Sequence, residues 1–302
     1  LNDSTKILAF SDKGNVRVFQ VEPKALNFVH NAILDYGGIY DGALLNKTDQ
    51  VLFVSNNYTL HYYNPISNLL EDSISLPPHY YWSVQSSFDG KKSFLSTSDG
   101  YLITIDNYTK KITSKVKYHN GALVRMVASK NGNLLATASE DYQSKLIDIS
   151  KGTVIKEYRN HASWIESVAL SKIGGLMSVT QFGLNECLIK DYETGRKLFS
   201  LKGHTSWIRM SDFSPNGKEL VTATDDGTAI IWDLDKREIA HKLIGHKLRV
   251  ESAYFSSFGD KVITSSGDST AIIWDVKTGK QILQLKGHTD WLRDAVFSSN
   301  GD

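Results

Sequence analysis

Short stretches in which apolar residues alternate with polar ones run along the chain, and each ends at a turn signal. Near the C-terminus these stretches are KVITSSG (261–267), TAIIWDV (270–276), QILQLKG (281–287) and RDAVFS (293–298). They are rich in β-branched residues, and the turn sequences GDS and KTGK separate the first three. A period of two residues predicts β-strands, and turns every ~8–12 residues favour antiparallel sheets. No stretch carries the 3.6-residue stripe of an amphipathic helix, so the sequence predicts an all-β protein.

The strand pattern recurs with a period of about 42 residues. The dipeptide GH places His204, His246 and His288 at intervals of 42 residues, and the series continues backward to His161 and His119. A second position of the period is occupied in turn by Gln20, Asn64, Asp106, Asp148, Asp191, Asp233 and Asp275. A fixed period of this size is typical of repeat architectures, here with seven copies of one four-stranded unit.

These repeats resemble the WD-repeat family. The resemblance rests on GHTSWIRMSDFSPNGKELVTATDDGTAIIWD (203–233), GHKLRVESAYFSSFGDKVITSSGDSTAIIWD (245–275) and the final half unit from 287, in a form similar to prokaryotic repeats. It implies an all-β fold, a β-propeller of four-stranded antiparallel blades around a central channel, with seven blades by the repeat count. The match weakens toward the N-terminus, and the fifth copy carries one extra residue in TQFGLNECL (180–188).

The final half unit predicts how the ring closes. In the family the sequence repeat is offset from the blade, so the strand from 291 is an inner strand whose partners lie at the other end of the chain. The segments 6–11, 15–20 and 26–31 are the predicted partners. Their pairing would remove the two unpaired strand edges of an open array. We therefore expect one domain over residues 1–302, whose first blade combines residues 291–302 with residues 1–31.

Two sets of four residues recur at an interval of 42 residues. They are His204, Thr222, Asp226 and Trp232, and then His246, Thr264, Asp268 and Trp274. A hydroxyl, an imidazole and a carboxylate could form a nucleophilic triad. In the WD-repeat family, however, these residue types form a structural chain of hydrogen bonds from Asp to His to Ser/Thr to Trp. Because an active site is not normally repeated blade after blade, we expect structural tetrads and no catalytic residue.

Aromatic and charged residues follow the histidines. The position three residues after His holds Trp164, Trp207 and Trp291, and the position two residues later holds Glu166, Arg209, Glu251 and Arg293. Tyr80, Trp82 and Arg249 complete the predicted set. The resemblance places these residues at the top rim of the channel. Aromatic residues and Arg are common anchors of protein interfaces, and packing between blades is the alternative for the Trp rings.

Composition disfavours several classes of function. Lys and Arg number 34 and Asp and Glu 33, so the net charge of +1 disfavours a nucleic-acid partner. No apolar run reaches the ~18 residues of a membrane helix, so we expect no membrane partner. The nine His and one Cys form no metal-binding motif, and no Gly-rich phosphate loop occurs, so we expect no metal and no cofactor. The single cysteine, Cys187, favours a reducing, cytoplasmic location.

The preferred interpretation is a non-enzymatic scaffold that binds a protein or peptide, as WD-repeat propellers mostly do. A further hypothesis makes the segment the sensor region of a larger signalling protein, with other domains of the same chain as partners; the absence of an initiator Met fits such a segment. The alternative is a small-molecule-binding or catalytic propeller that uses the channel mouth. Such a site requires clustered acids, bases or metal ligands, whereas the candidate charged residues lie on separate predicted blades.

Overall fold

The computed structural model describes residues 5–11, 15–22, 25–33, 39–45, 48, 50–64, 67, 69–129, 132–159 and 161–297. Every regular element in these ranges is a β-strand, which confirms the all-β prediction. These ranges contain no helix that is long and apolar enough to cross a membrane.

The strands follow one another at short intervals along the whole described chain. The first fourteen are β1 (Thr5–Ser11), β2 (Asn15–Glu22), β3 (Ala25–Ile33), β4 (Ile39–Leu44), β5 (Val51–Ser55), β6 (Thr59–Asn64), β7 (Leu69–Ser75), β8 (Tyr81–Ser86), β9 (Lys92–Thr97), β10 (Tyr101–Asp106), β11 (Lys111–Lys117), β12 (Leu123–Ala128), β13 (Leu134–Ser139) and β14 (Ser144–Asp148). The others are β15 (Thr153–Tyr158), β16 (Ile165–Leu170), β17 (Leu176–Gln181), β18 (Glu186–Asp191), β19 (Lys197–Lys202), β20 (Ile208–Phe213), β21 (Glu219–Thr224), β22 (Thr228–Asp233), β23 (Glu238–Ile244), β24 (Val250–Phe255), β25 (Lys261–Ser266), β26 (Ala271–Asp275), β27 (Gln281–Leu285) and β28 (Leu292–Phe297).

The strands form four-stranded antiparallel sheets. Six sheets consist of strands that are consecutive in the chain: β4–β7, β8–β11, β12–β15, β16–β19, β20–β23 and β24–β27. A further sheet has the order β28-β1-β2-β3 and thus joins the last described strand to the first three. In that sheet Ala295 lies opposite Ala9 in antiparallel register. The predicted four-stranded blades are confirmed; residues 1–4 and 298–302 of the predicted first blade lie outside the described residues.

The apolar core lies between neighbouring sheets. The inner strands contact one another in sequence, β4 with β8, then β12, β16, β20, β24 and β28, and β28 also contacts β4. At one junction, Val221 and Ile231 of one sheet are buried with Ala253 and Ile272 of the next. Burying one aliphatic side chain stabilises a fold by roughly 1.5–3 kcal/mol, so each sheet depends on its neighbours for much of its stability.

The inner strand of each sheet carries an irregularity near its start. In β20, Ile208 pairs with Thr224 and Met210 with Ala223, so Arg209 has no residue directly opposite. The same register shift occurs at Trp82, Val124, Glu166, Glu251 and Arg293. Such a β-bulge inserts one extra residue and redirects its side chain, which interrupts the simple alternation of faces along the strand.

Candidate functional site

The bulged residues of six sheets line one cavity of about 370 Å³. They are Trp82, Val124, Glu166, Arg209, Glu251 and Arg293. We call this space the bulge cavity; its other lining residues are Asp41, Arg125, Glu140, Trp164, Ile165, Phe182 and Asp294. Because the inner strands lie side by side, one bulge per sheet brings positions that are far apart in the sequence to one place.

Six of the ten predicted rim residues line the bulge cavity: Trp82, Trp164, Glu166, Arg209, Glu251 and Arg293. Trp207, Arg249 and Trp291 lie beside it, because each contacts a residue that lines it. Tyr80 is not a lining residue, and its side chain is 63% exposed. The structure thus brings most of the predicted set together, while the role of these residues in binding stays a prediction.

Arg209 connects three carboxylates. Its Nη2 lies 2.7 Å from Asp225 Oδ1, and its Nε donates to the same oxygen at 2.8 Å. Its Nη1 lies 3.9 Å from Glu166 and 3.8 Å from Glu251, and Glu251 also bonds to Arg249. Ion pairs in partly buried positions are screened less by salt than exposed ones. The network therefore fixes the side chains that form this part of the cavity.

Aromatic rings form one side of the cavity. Phe182 packs nearly edge-on against Trp164, with ring centroids 4.5 Å apart, and against Trp207 at 4.2 Å. Phe182 belongs to the turn between β17 and β18, the place where the fifth repeat has its extra residue. Gln181 holds the turn, since its Oε1 accepts a hydrogen bond from the backbone N–H of Ala162 at 2.7 Å. Sequence reasoning missed Phe182, and its one signal was this departure from the repeat.

Two further carboxylates and a guanidinium line the same cavity, at Asp41, Asp294 and Arg125. Asp41 accepts a hydrogen bond from the backbone N–H of Val84 at 2.9 Å, and Asp294 accepts one from that of Ala295 at 3.0 Å. Burial raises the pKa of both carboxyl groups, and the positive charge of Arg125 opposes the rise. Sequence reasoning missed this group, because no motif marks single charges on separate strands.

The hydrogen-bond order predicted for the tetrads is present around His246. Its Nδ1–H faces Asp268 Oδ2 at 3.1 Å, and its Nε2 lies 2.8 Å from the hydroxyl of Thr264. The indole N–H of Trp274 donates to the same hydroxyl at 2.9 Å. His119 makes the equivalent contacts with Asp141 at 2.9 Å and Thr137 at 2.8 Å, in a sheet where Ile147 replaces the Trp. These bonds lie inside single sheets.

The set around His204 differs from the prediction in one bond. His204 Nε2 lies 2.5 Å from Thr222 Oγ1, which also accepts from the indole N–H of Trp232 at 2.7 Å. Asp226, however, accepts a hydrogen bond from the Thr205 hydroxyl at 2.5 Å, and His204 Nδ1 has no hydrogen-bond partner among the described residues. Burial lowers the pKa of His204 to about 4. The prediction of an Asp–His bond is wrong here, because the hydroxyl of Thr205 competes for the carboxylate of Asp226. The equivalent position after His246 holds Lys247, which has no hydroxyl.

The described ranges offer no group of three or more His, Cys, Asp or Glu side chains that could hold a metal ion. Cys187 is a buried free cysteine, and burial raises the pKa of its thiol to about 12. A thiol that stays protonated is a poor nucleophile.

Comparison with known proteins identifies the repeats. Residues 195–233 and 237–275 each match the WD40 family model, described as WD domain, G-beta repeat. The chain is 30% identical over 154 residues to eukaryotic translation initiation factor 3 subunit I of Bombyx mori, an alignment that covers 45% of each protein.

Other relatives align over similar lengths. The chain is 31% identical over 158 residues to nuclear distribution protein PAC1 of Arthroderma benhamiae, covering 47% of this chain and 33% of that protein. It is 26% identical over 158 residues to apoptotic protease-activating factor 1 of Rattus norvegicus, covering 52% of this chain and 12% of that protein. The chain thus spans less than half the length of each of these curated relatives. Residues 195–233 and 237–275 thus carry WD40 repeats, and they lie in four-stranded sheets of the propeller type.

Proposed function

We propose that the chain is a protein-interaction module that binds a protein or peptide at the bulge cavity and the tryptophans beside it. The observation that carries this proposal is the convergence of six bulged residues on one cavity. Trp82 and Trp291 leave 44% and 40% of their surface exposed there. Concave sites with aromatic walls and a few charged groups are the usual form of a binding site, and Trp and Arg supply much of the energy at interfaces.

The proposal includes a single domain in which the sheets close into a seven-bladed ring. Its support is the series of contacts between inner strands, in which β28 touches both β24 and β4. The sheet β28-β1-β2-β3 then stands between the sheets β24–β27 and β4–β7. A closed ring would hold the bulges at fixed distances, and a site that is already ordered loses less entropy when a partner binds.

Two relatives support an interaction role. One is by its name a subunit of a translation initiation factor, so it works as part of an assembly. The aligned segment of the rat relative is 12% of a much longer protein. The proposal therefore covers two kinds of partner: separate proteins, and other domains of a longer chain. We place it in the cytoplasm, in keeping with its one free cysteine, and propose no catalytic activity for it.

A comparison of partner recovery tests the proposal. The double variant Trp207→Ala/Arg293→Ala changes the face around the bulge cavity, while Ile173→Ala/Phe258→Ala removes two exposed apolar side chains that do not line it. We expect the first variant to recover at least about tenfold less of its partners, and the control to recover as much as the parent chain, as hot-spot energetics predict. Both variants must melt as the parent does. Equal recovery by the two folded variants would contradict the proposed face.

A further inference from the structure

The charges that line the bulge cavity are unequal. Five carboxylates face three guanidinium groups; the carboxylates are Asp41, Glu140, Glu166, Glu251 and Asp294, and the guanidinium groups are those of Arg125, Arg209 and Arg293. With all of them ionised, the lining carries an excess of two negative charges, and protonation of Asp294, whose pKa burial raises to about 7, reduces that excess to one. The molecule as a whole has a net charge of +1, so the excess belongs to this site and not to the general composition.

We propose that the bulge cavity receives the cationic side chain of an arginine or lysine from an extended segment of the partner. This inference rests on the proposed function, because it names the chemistry of a partner that binds at that face. A guest cation would compensate the excess of carboxylates, whereas a phosphate or an acidic side chain would add to it.

Two observations on the carboxylates support a cationic guest. Burial raises the pKa of Glu166, the charges of Arg209 and Arg125 oppose that rise, and the smaller effects of Glu251 and Glu140 add to it. Burial also raises the pKa of Asp294, and there the charge of Asp41 raises it by more than Arg125 lowers it. Asp41 and Asp294 thus repel each other in spite of Arg125. Arg209 shows that the site accommodates a guanidinium among carboxylates, since it lies within 4 Å of three of them. A cation from outside would relieve the same repulsion.

The walls of the cavity suit the same guest. Trp82, Trp164 and Phe182 line it, and Trp82 is nearly half exposed. Aromatic faces attract guanidinium and ammonium groups and also cover their aliphatic stems. The chain already makes such contacts beside the cavity: the guanidinium of Arg249 lies 4.2 Å from the ring centroid of Trp291, and that of Arg209 lies 5.1 Å from Trp207. The cavity therefore combines negative charge with aromatic surface.

The test uses a displayed library of random capped hexapeptides, selected on the full chain and then measured one by one by fluorescence anisotropy. We expect selected peptides to share an Arg or Lys at one position, and its replacement by Gln or norleucine to weaken binding at least about tenfold. Binding should also weaken as salt rises, because ion pairing is screened.

Matched variants connect the preference to the cavity. Glu166→Gln/Glu251→Gln keeps side-chain size and removes two of the charges, and we expect it to lower the affinity for the Arg or Lys peptide at least about tenfold. Glu193→Gln changes an exposed glutamate outside the cavity and should leave the affinity unchanged. Thermal melting of all three proteins separates a loss of binding from a loss of fold.

The outcomes distinguish the two proposals. Peptides that lose affinity on Trp82→Ala but share an acidic or apolar residue would overturn the cationic guest and leave the interaction face standing. The cationic guest would also be overturned if replacing the Arg or Lys of the peptide by Gln weakened binding while Glu166→Gln/Glu251→Gln had no effect. A library without binders, or binders that no cavity variant weakens, would contradict both proposals.

Discussion

Two threonines at equivalent positions of different sheets differ in which hydrogen bonds depend on them. Thr264 contacts His246 and accepts from the indole N–H of Trp274 at 2.9 Å. Thr137 contacts His119 and faces no indole, because Ile147 stands in that position, and it accepts a longer bond of 3.2 Å from the backbone N–H of Lys145. Both side chains are fully buried. A buried donor or acceptor that loses its partner costs roughly 1–3 kcal/mol, so the orphaned groups set the cost of removing the hydroxyl.

Replacement of each threonine by valine tests this difference. Thr264→Val leaves both the His246 imidazole and the Trp274 N–H without their hydroxyl, and we expect it to lower the free energy of unfolding by roughly 2–4 kcal/mol. Thr137→Val orphans one imidazole and removes a longer bond from the backbone N–H of Lys145, so it should cost less than Thr264→Val. Denaturant titration with a constant slope measures both. Equal losses would show that the indole bond adds no more to stability than the bond from the Lys145 backbone.

At the scale of the strand pair, the tip of a hairpin packs against the segment that enters the next sheet. Gly100 ends the turn between β9 and β10 at φ +86°, and a Cβ atom there would lie 2.1 Å from the carbonyl oxygen of His119. Gly100 also accepts a backbone hydrogen bond from Tyr118 at 3.0 Å. The glycine is thus required twice, by its own conformation and by the neighbouring chain.

A pair of glycine variants separates these two requirements. Gly175 also has a positive φ, +66°, but a Cβ atom there would meet nothing within 4 Å. We expect Gly175→Ala to cost about 1 kcal/mol, for the backbone conformation alone. Gly100→Ala should cost at least about 2–3 kcal/mol, because the backbone of His119 must also move. Thermal and denaturant unfolding of the two variants would refute this account if the losses were the same.

Features of the site that depend on strand pairing could not be predicted from the sequence. Alternation of apolar and polar residues identified the strands, including those that became β1 to β3, because the period of two follows from strand geometry alone. A bulge depends instead on how two strands pair, so its redirection of Arg209 or Glu251 is invisible in one strand. Phe182 was missed for a related reason, since its position depends on a turn that departs from the repeat.

At the scale of the whole molecule, the last described strand completes the first sheet. In β28, Ala295 lies opposite Ala9, and Leu292 is buried with Ile263 and Leu285 of the neighbouring sheet. Without β28, the backbone N–H and C=O groups along one edge of β1 would have no partner, and part of this apolar cluster would be open to water. We therefore expect β28 to contribute more to the stability of the fold than the burial of its own six residues would.

Removal of residues 287–302 tests that contribution. We expect the shortened chain to lose its cooperative melting transition and to aggregate, as measured by calorimetry and size-exclusion chromatography, because an exposed strand edge and apolar surface remain. A synthetic peptide of residues 287–302 added in trans should restore a cooperative transition, and a scrambled peptide should not. A shortened chain with the same melting curve as the parent would contradict the role assigned to β28.

The sequence by itself determined the all-β class, the four-stranded repeating unit, the WD-repeat resemblance and six of the residues that line the bulge cavity. These features depend on local alternation, turn chemistry and a fixed period, and all three can be read directly along one sequence. Only the tertiary structure decided that Thr205 takes the carboxylate expected for His204, that Phe182 lies between two tryptophans, and that bulged residues of six sheets share one cavity. Those outcomes depend on competition between neighbouring side chains and on pairing between distant strands. The sequence alone does not show which distant residues become neighbours.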